Sequence, residues 1–158
     1  MKNTAEILDE IESLKKEIEI LKDQNEIRDI LTRYAFRFDL GRLDEWFDLY
    51  TQDATFKTHA HFQNGLASIR TYYLSQKEQG GGLHIQLTGI TKVEGDQATE
   101  INFQLLGDSR NGVEHVGAGS TRRWTFEKEN GKWRIKTADS SIPEKFPVFS
   151  NELVPLNW

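Results

Sequence analysis

Residues 83–106 read "LHIQLTGITKVEGDQATEINFQLL", two alternating stretches joined by "EGDQ". In the second stretch Ala98, Glu100, Asn102, Gln104 and Leu106 share one side, and Ile101, Phe103 and Leu105 the other. In the first, His84, Gln86, Thr88 and Ile90 oppose Ile85, Leu87 and Val93. A period of two is the mark of a strand, and a Gly-Asp turn makes the two strands antiparallel neighbours. Both faces have a claim to burial. The apolar, regular one suits contact with another subunit, and the mixed one suits a cavity wall.

The same pattern continues downstream. Segments 113–128 and 132–140 are strands, set off by "RNG" and "ENG". Upstream the chain is mostly helical. Ile27, Ile30, Leu31, Tyr34 and Phe38 form one apolar helix face that stops at Gly41. "LDEWFDLY" (43–50) is a short helix with Leu43, Trp46, Phe47 and Tyr50 on one side. "DATFKTHAHF" (53–62) predicts a strand, and 66–79 a third helix broken by "GGG" at 80–82. Helices first and a meander afterwards place the chain in the α+β class, with helices covering one face of a curved antiparallel sheet. Trp124 and Trp133 are core positions. The tail "PEKFPVFSNELVPLNW" (143–158) holds all three prolines and predicts an ordered lid or strap.

Residues 1–24 form a separate arm. Ile7, Ile11, Leu14, Ile18 and Leu21 recur at spacings of four, three, four and three among charged residues. That is the stripe of a coiled coil or of a helix laid along a groove, so the arm packs either on its own domain or against another subunit. Residues 25–158 make up the domain proper, and a homo-oligomer (dimer or trimer) is expected.

Composition narrows the function. With 25 acidic against 20 basic residues the net charge is −5, which argues against nucleic-acid or anionic-membrane partners. No apolar run is long enough to span a bilayer, and the charged N-terminus lacks the apolar centre of a secretory signal, so a cytoplasmic location is expected. The chain has no cysteine, which excludes disulfides, thiol catalysis and zinc–thiolate sites.

The stretch "IRDILTRYAFRFDLGRLDEWFDLYTQDATF" (27–56), the strand pair at 83–106 and the hairpin "TRRWTFEKENGKWRI" (121–135) together resemble the SnoaL-like group of the nuclear-transport-factor-2-like superfamily. Among its enzymes the resemblance is to bile-acid 7α-dehydratase, scytalone dehydratase and lindane dehydrochlorinase. It implies a cone-shaped sheet and helices around one deep apolar pocket. By position it implies an acid–base dyad of Asp39 and His84, a pocket tyrosine at Tyr34 and a substrate-contacting Ser120. The chain departs from the dehydratases where Thr58 stands for a strand tyrosine, Leu106 for an acid and Arg122 for an asparagine.

An acid at the end of a helix is out of place, since the C-terminus carries partial negative charge. His84 would explain it. The carboxylate would favour the imidazolium and fix the ring's tautomer, while the other nitrogen moves a substrate proton. Tyr34 would donate to a carbonyl or leaving oxygen, and Thr58, Asn102, Gln104, Ser120 and Arg122 would orient the substrate. The reading is a lyase of the dehydratase type, with no cofactor and no metal, acting on a mid-sized hydrophobic molecule such as a steroid, polyketide or terpenoid. The alternatives are an isomerase or cyclase using the same pair, and a non-catalytic binding or assembly module. "HAH" (59–61) has the spacing of a metal site but no third ligand placed by sequence. His115 is read as a surface residue. "GAGS" (117–120) lies inside a strand pattern, where small residues permit curvature.

Overall fold

The computed structural model describes residues 3–58, 60–75, 82–108 and 115–141; the side chains of Thr88, Leu106, Asp108 and residues 115–120 are outside that description. The expected C-terminal lid, from residue 142 on, also lies outside it, as does His59.

The helical patterns on either side of residue 24 are one helix, α1, Thr4–Asp39, of 36 residues. It starts at a capping box. The Asn3 side chain accepts from the Glu6 backbone N–H, and the Glu6 carboxylate accepts from the Asn3 N–H, both at 3.0 Å. Burial begins at Asp23, whose carboxylate accepts from Lys128 Nζ at 2.7 Å and Trp133 Nε1 at 2.8 Å. These bonds fasten the middle of α1 to the sheet. Beyond them Ile27, Ile30, Leu31 and Tyr34 enter the core on helical spacing. No helix among the described residues is long and apolar enough to cross a membrane.

Helix α2, Leu43–Phe47, is shorter than its sequence pattern suggests. Leu43, Trp46, Phe47 and Tyr50 are all buried, but Tyr50 opens strand β1, Tyr50–Lys57. The strand expected over 53–62 is also broken. At Thr58 the chain turns back through a Thr58 N–H to His61 carbonyl bond of 2.8 Å and returns as β2, Phe62–Asn64. Ala60 and Phe62, which an unbroken strand would put on one face with Phe56, are therefore exposed. Helix α3 is described over Leu66–Ser75.

The meander follows as β3, Gly82–Glu94, β4, Gln97–Asp108, β5, His115–Glu129, and β6, Lys132–Asp139. The six strands run in the order β2-β1-β6-β5-β4-β3 in one unclosed sheet, antiparallel except for the parallel β1–β6 pair. This is the mixed helix-and-curved-sheet architecture expected of the α+β class. At the "ENG" turn Asn130 and Gly131 both take positive φ, 51° and 76°, as a tight two-residue hairpin requires. "GAGS" is part of strand β5.

One expectation about β3 is reversed. Its register against β4 shifts between Gln86 and Gly89, a bulge that swaps the two faces. Gly89, Thr91 and Val93 carry on the inner face started by His84 and Gln86. Val93 packs on the core, while Ile90 turns outward and is 67% exposed. The bulge needs its glycine: a Cβ there would lie 2.7 Å from the Ile101 carbonyl oxygen and 2.8 Å from Asn102 Cβ. Gly89→Ala is expected to cost about 1–3 kcal/mol, because backbone rather than a flexible side chain must yield. A thermal melt no lower than that of the parent chain would contradict this.

Candidate functional site

The end of α1 meets the start of β3 at two hydrogen bonds. Asp39 Oδ2 accepts from the His84 backbone N–H at 2.7 Å, and Asp39 Oδ1 pairs with His84 Nδ1 at 2.5 Å. The carboxylate thus spans the main chain and the ring of one residue, which fixes both position and rotamer. The side chains are 17% and 12% exposed respectively. Phe38 and Tyr34 stand edge-on to the imidazole, with centroids 5.1 and 6.2 Å away.

The sheet supplies the opposing cation. Arg122, 5% exposed, donates from Nη1 to the Tyr34 hydroxyl at 2.7 Å. Its guanidinium lies over the rings of Tyr34, Trp124 and Phe56 at 5.4, 5.1 and 5.8 Å. Among the described residues no carboxylate is bonded to it. Tyr50 and Tyr73 flank the same space, and burial holds both hydroxyls well above the ordinary tyrosine pKa, so they stay protonated.

These groups decide the state of the imidazole. The sequence leads one to expect a carboxylate partner to favour the protonated ring. The net direction is the reverse: His84 is pushed below the usual 6.5, because burial outweighs the raising effect of Asp39 and Arg122 adds to the lowering. A neutral ring that donates through Nδ1 leaves Nε2 as a proton acceptor.

The other expected residues divide by use. Asn102, 2% exposed, donates to Gln86 Oε1 at 2.8 Å and accepts from Trp124 Nε1 at 3.0 Å, so its amide braces the interior wall. Gln104 is fully buried, and neither of its amide atoms has a partner among the described residues. Ser120 pairs with Gln104 through the β4–β5 register. Thr58 is not on a strand wall; its hydroxyl accepts from the N–H groups of Ala60 and His61 at 3.3 and 3.1 Å and stabilises the turn. His61 is exposed and packs on Tyr72 with centroids 4.9 Å apart. No cluster of three metal-ligating side chains occurs among the described residues.

A cleft of about 260 Å³ opens between α1 and the β3 bulge, lined by Arg28, Leu31, Thr32, Gln86, Leu87, Gly89, Glu100 and Asn102. It adjoins the dyad's side of the sheet without including the dyad. Glu100, 3% exposed there, has its carboxyl pushed up by burial and accepts from Thr91 Oγ1 at 2.8 Å. Tyr50, Tyr73 and Glu100 were missed as site residues in the sequence. Only Glu100 gave a signal, a charge on the inward face of a strand. By NMR the His84 ring is expected to titrate below about 6.5, and further down in Asp39→Asn, which removes the main raising influence. An upward move in that variant would contradict the assignment.

A family model described as the SnoaL-like domain matches residues 19–139. No curated protein sequence matches the chain. Among solved structures it is similar to an NTF2-like protein with a cystatin-like fold from Novosphingobium aromaticivorans, at 24% identity and TM-score 0.71, covering 80% of this chain and 85% of that one. A scytalone dehydratase-like protein from the same organism aligns at 14% identity and TM-score 0.60, over 75% and 83%. The association domain of C. elegans CaMKII aligns at 15% identity and TM-score 0.62, over 75% and 94%. At these identities the likeness is one of fold. On the family match, the chain belongs to the SnoaL-like domain family, and it has that family's NTF2-like fold.

Proposed function

We propose that the chain is an acid–base lyase of the dehydratase type, acting on a mid-sized hydrophobic molecule with a hydroxyl β to a carbonyl. The observation that carries this reading is the part-buried Asp39–His84 pair, held at 2.5 Å with Nε2 left to act. His84 Nε2 would take the proton α to the carbonyl. Asp39 holds the ring by Nδ1 and offsets the charge that the imidazolium acquires. As the electron pair moves onto the carbonyl oxygen, the Tyr34 hydroxyl donates to it. Arg122, bonded to that hydroxyl, stabilises the enolate charge in an interior with little water to screen it. Collapse of the enolate expels the hydroxyl, which leaves as water with the proton returned from His84. The likeness to a scytalone dehydratase-like protein supports the reaction class.

The kit is small, and general acid–base assistance contributes roughly 10²–10⁴-fold in rate, so the substrate must be activated. Gln104, whose amide has no partner among the described residues, would meet a polar substituent. The enolate held by Tyr34 and Arg122 is also the intermediate of a double-bond shift, so an isomerase is the second reading. The products separate the two, since an isomerase releases no water.

A panel of β-hydroxy ketones in D₂O, followed by NMR, tests the proposal. The parent chain is expected to exchange the α-hydrogen and eliminate water. His84→Gln should lose both activities while still binding ligand, and Asp39→Asn should fall about 10²–10⁴-fold in kcat. Exchange that survives in His84→Gln would overturn the role of the imidazole. The base must be neutral to work and His84 is shifted down, so kcat/KM should decline only below about pH 6.5. An acid limb centred above that value would contradict the shift.

A further inference from the structure

The first turns of α1 project from the domain with their apolar stripe uncovered. Ile7, Ile11, Leu14, Ile18 and Leu21 are 45, 43, 51, 50 and 59% exposed, and the first buried residue of the helix is Asp23. Among the described residues nothing covers the stripe. Its spacing fixes the heptad, because steps of three run from a to d and steps of four from d to a. Ile11 and Ile18 therefore occupy a positions, and Ile7, Leu14 and Leu21 occupy d positions. Glu10 and Glu17 then fall at g, and Lys15 and Lys22 at e.

We infer that residues 4–22 pair with the same segment of a second copy of this chain in a parallel, in-register, two-stranded coiled coil. Three features of the segment select this occupant. Over the two heptads nearest the domain, β-branched Ile11 and Ile18 at a with Leu14 and Leu21 at d fit two strands better than three or four. In a parallel pair each g side chain reaches the e position of the next heptad across the seam, so Glu10 meets the second copy's Lys15 and Glu17 its Lys22. An antiparallel pair would set g against g and e against e, glutamate on glutamate and lysine on lysine. On the outer face Glu12 and Lys16, at b and f, pair with each other at 3.8 Å and are not needed at the seam.

A segment this short would be a marginal coiled coil on its own, chiefly because starting a helix is costly. Here that cost falls on the domain. The helix is continuous into the core and is fastened there by the Asp23 bonds to Lys128 and Trp133, so the arm is presented already helical. Parallel arms also place both domains at the same end of the rod.

The chain has no cysteine, which gives a direct test. Ile7→Cys, Leu21→Cys and Lys16→Cys are made singly in the full chain and oxidised mildly at micromolar concentration. The first two should each give a disulfide-linked dimer on a non-reducing gel, and Lys16→Cys, at the outer f position, should not. Glu10→Lys/Glu17→Lys added to Leu21→Cys should slow its cross-linking about tenfold, and adding Lys15→Glu/Lys22→Glu should restore it. Cross-linking at only one of the two seam positions, at neither, or equally at Lys16→Cys would overturn the arrangement. So would a three-chain mass by light scattering, or indifference to the charge reversal.

Discussion

A carboxylate sits on the last residue of a long helix, where the aligned peptide dipoles leave partial negative charge, and it is largely out of water. The repulsion from the helix end is worth about 0.3–1 kcal/mol, whereas a hydrogen bond to a charged group is worth about 1.5–3 kcal/mol. Asp39 receives two such bonds, from the main chain and the ring of His84, so the pairing wins by a clear margin. The consequence is geometric. The end of α1 is tied to the start of β3, and the side chains on either side of that tie, Tyr34 and Phe38 from the helix and Gln86 from the strand, are brought to the same side of the sheet.

The second constraint is the cation opposite. A buried guanidinium is costly unless its hydrogen bonds and its charge are answered. Arg122 is answered only in part, by the Tyr34 hydroxyl and by three aromatic faces, with its Nε left without a partner among the described residues; cation–π contacts contribute about 0.5–2 kcal/mol each. That leaves its charge diffuse and available to whatever negative charge develops beside Tyr34. The same charge helps keep His84 neutral. In the proposed mechanism this one arginine would serve both halves of the proton-transfer cycle, favouring the free base at the start and the enolate midway.

The sequence made some of this plain and hid the rest. The four long strands and the turns at "EGDQ" and "ENG" were legible because alternation and Gly/Asn turn chemistry are local. Trp124 and Trp133 were legible as core because large apolar groups have few other places to go. Asp39 stood out because it broke a local rule, an acid at a helix C-terminus, and His84 could be matched to it only through the family resemblance. The β3 bulge was hidden because alternation counts residues and cannot see one that is skipped; Gly89 was its one trace. The break at Thr58 was hidden because "FKTHAHF" keeps a strand-like pattern through a turn made by a threonine hydroxyl. The protonation state of His84 could not be read at all, since it depends on how far burial and Arg122 outweigh Asp39.

The account rests on His84 being a neutral imidazole that carries its proton on Nδ1 toward Asp39. ¹⁵N NMR of the histidine side chains at neutral pH reads this directly. The account predicts a protonated Nδ1 and an unprotonated Nε2 for His84, with the pattern lost in Asp39→Asn. A proton on Nε2, or on both nitrogens, would leave the ring without a free acceptor and would contradict it.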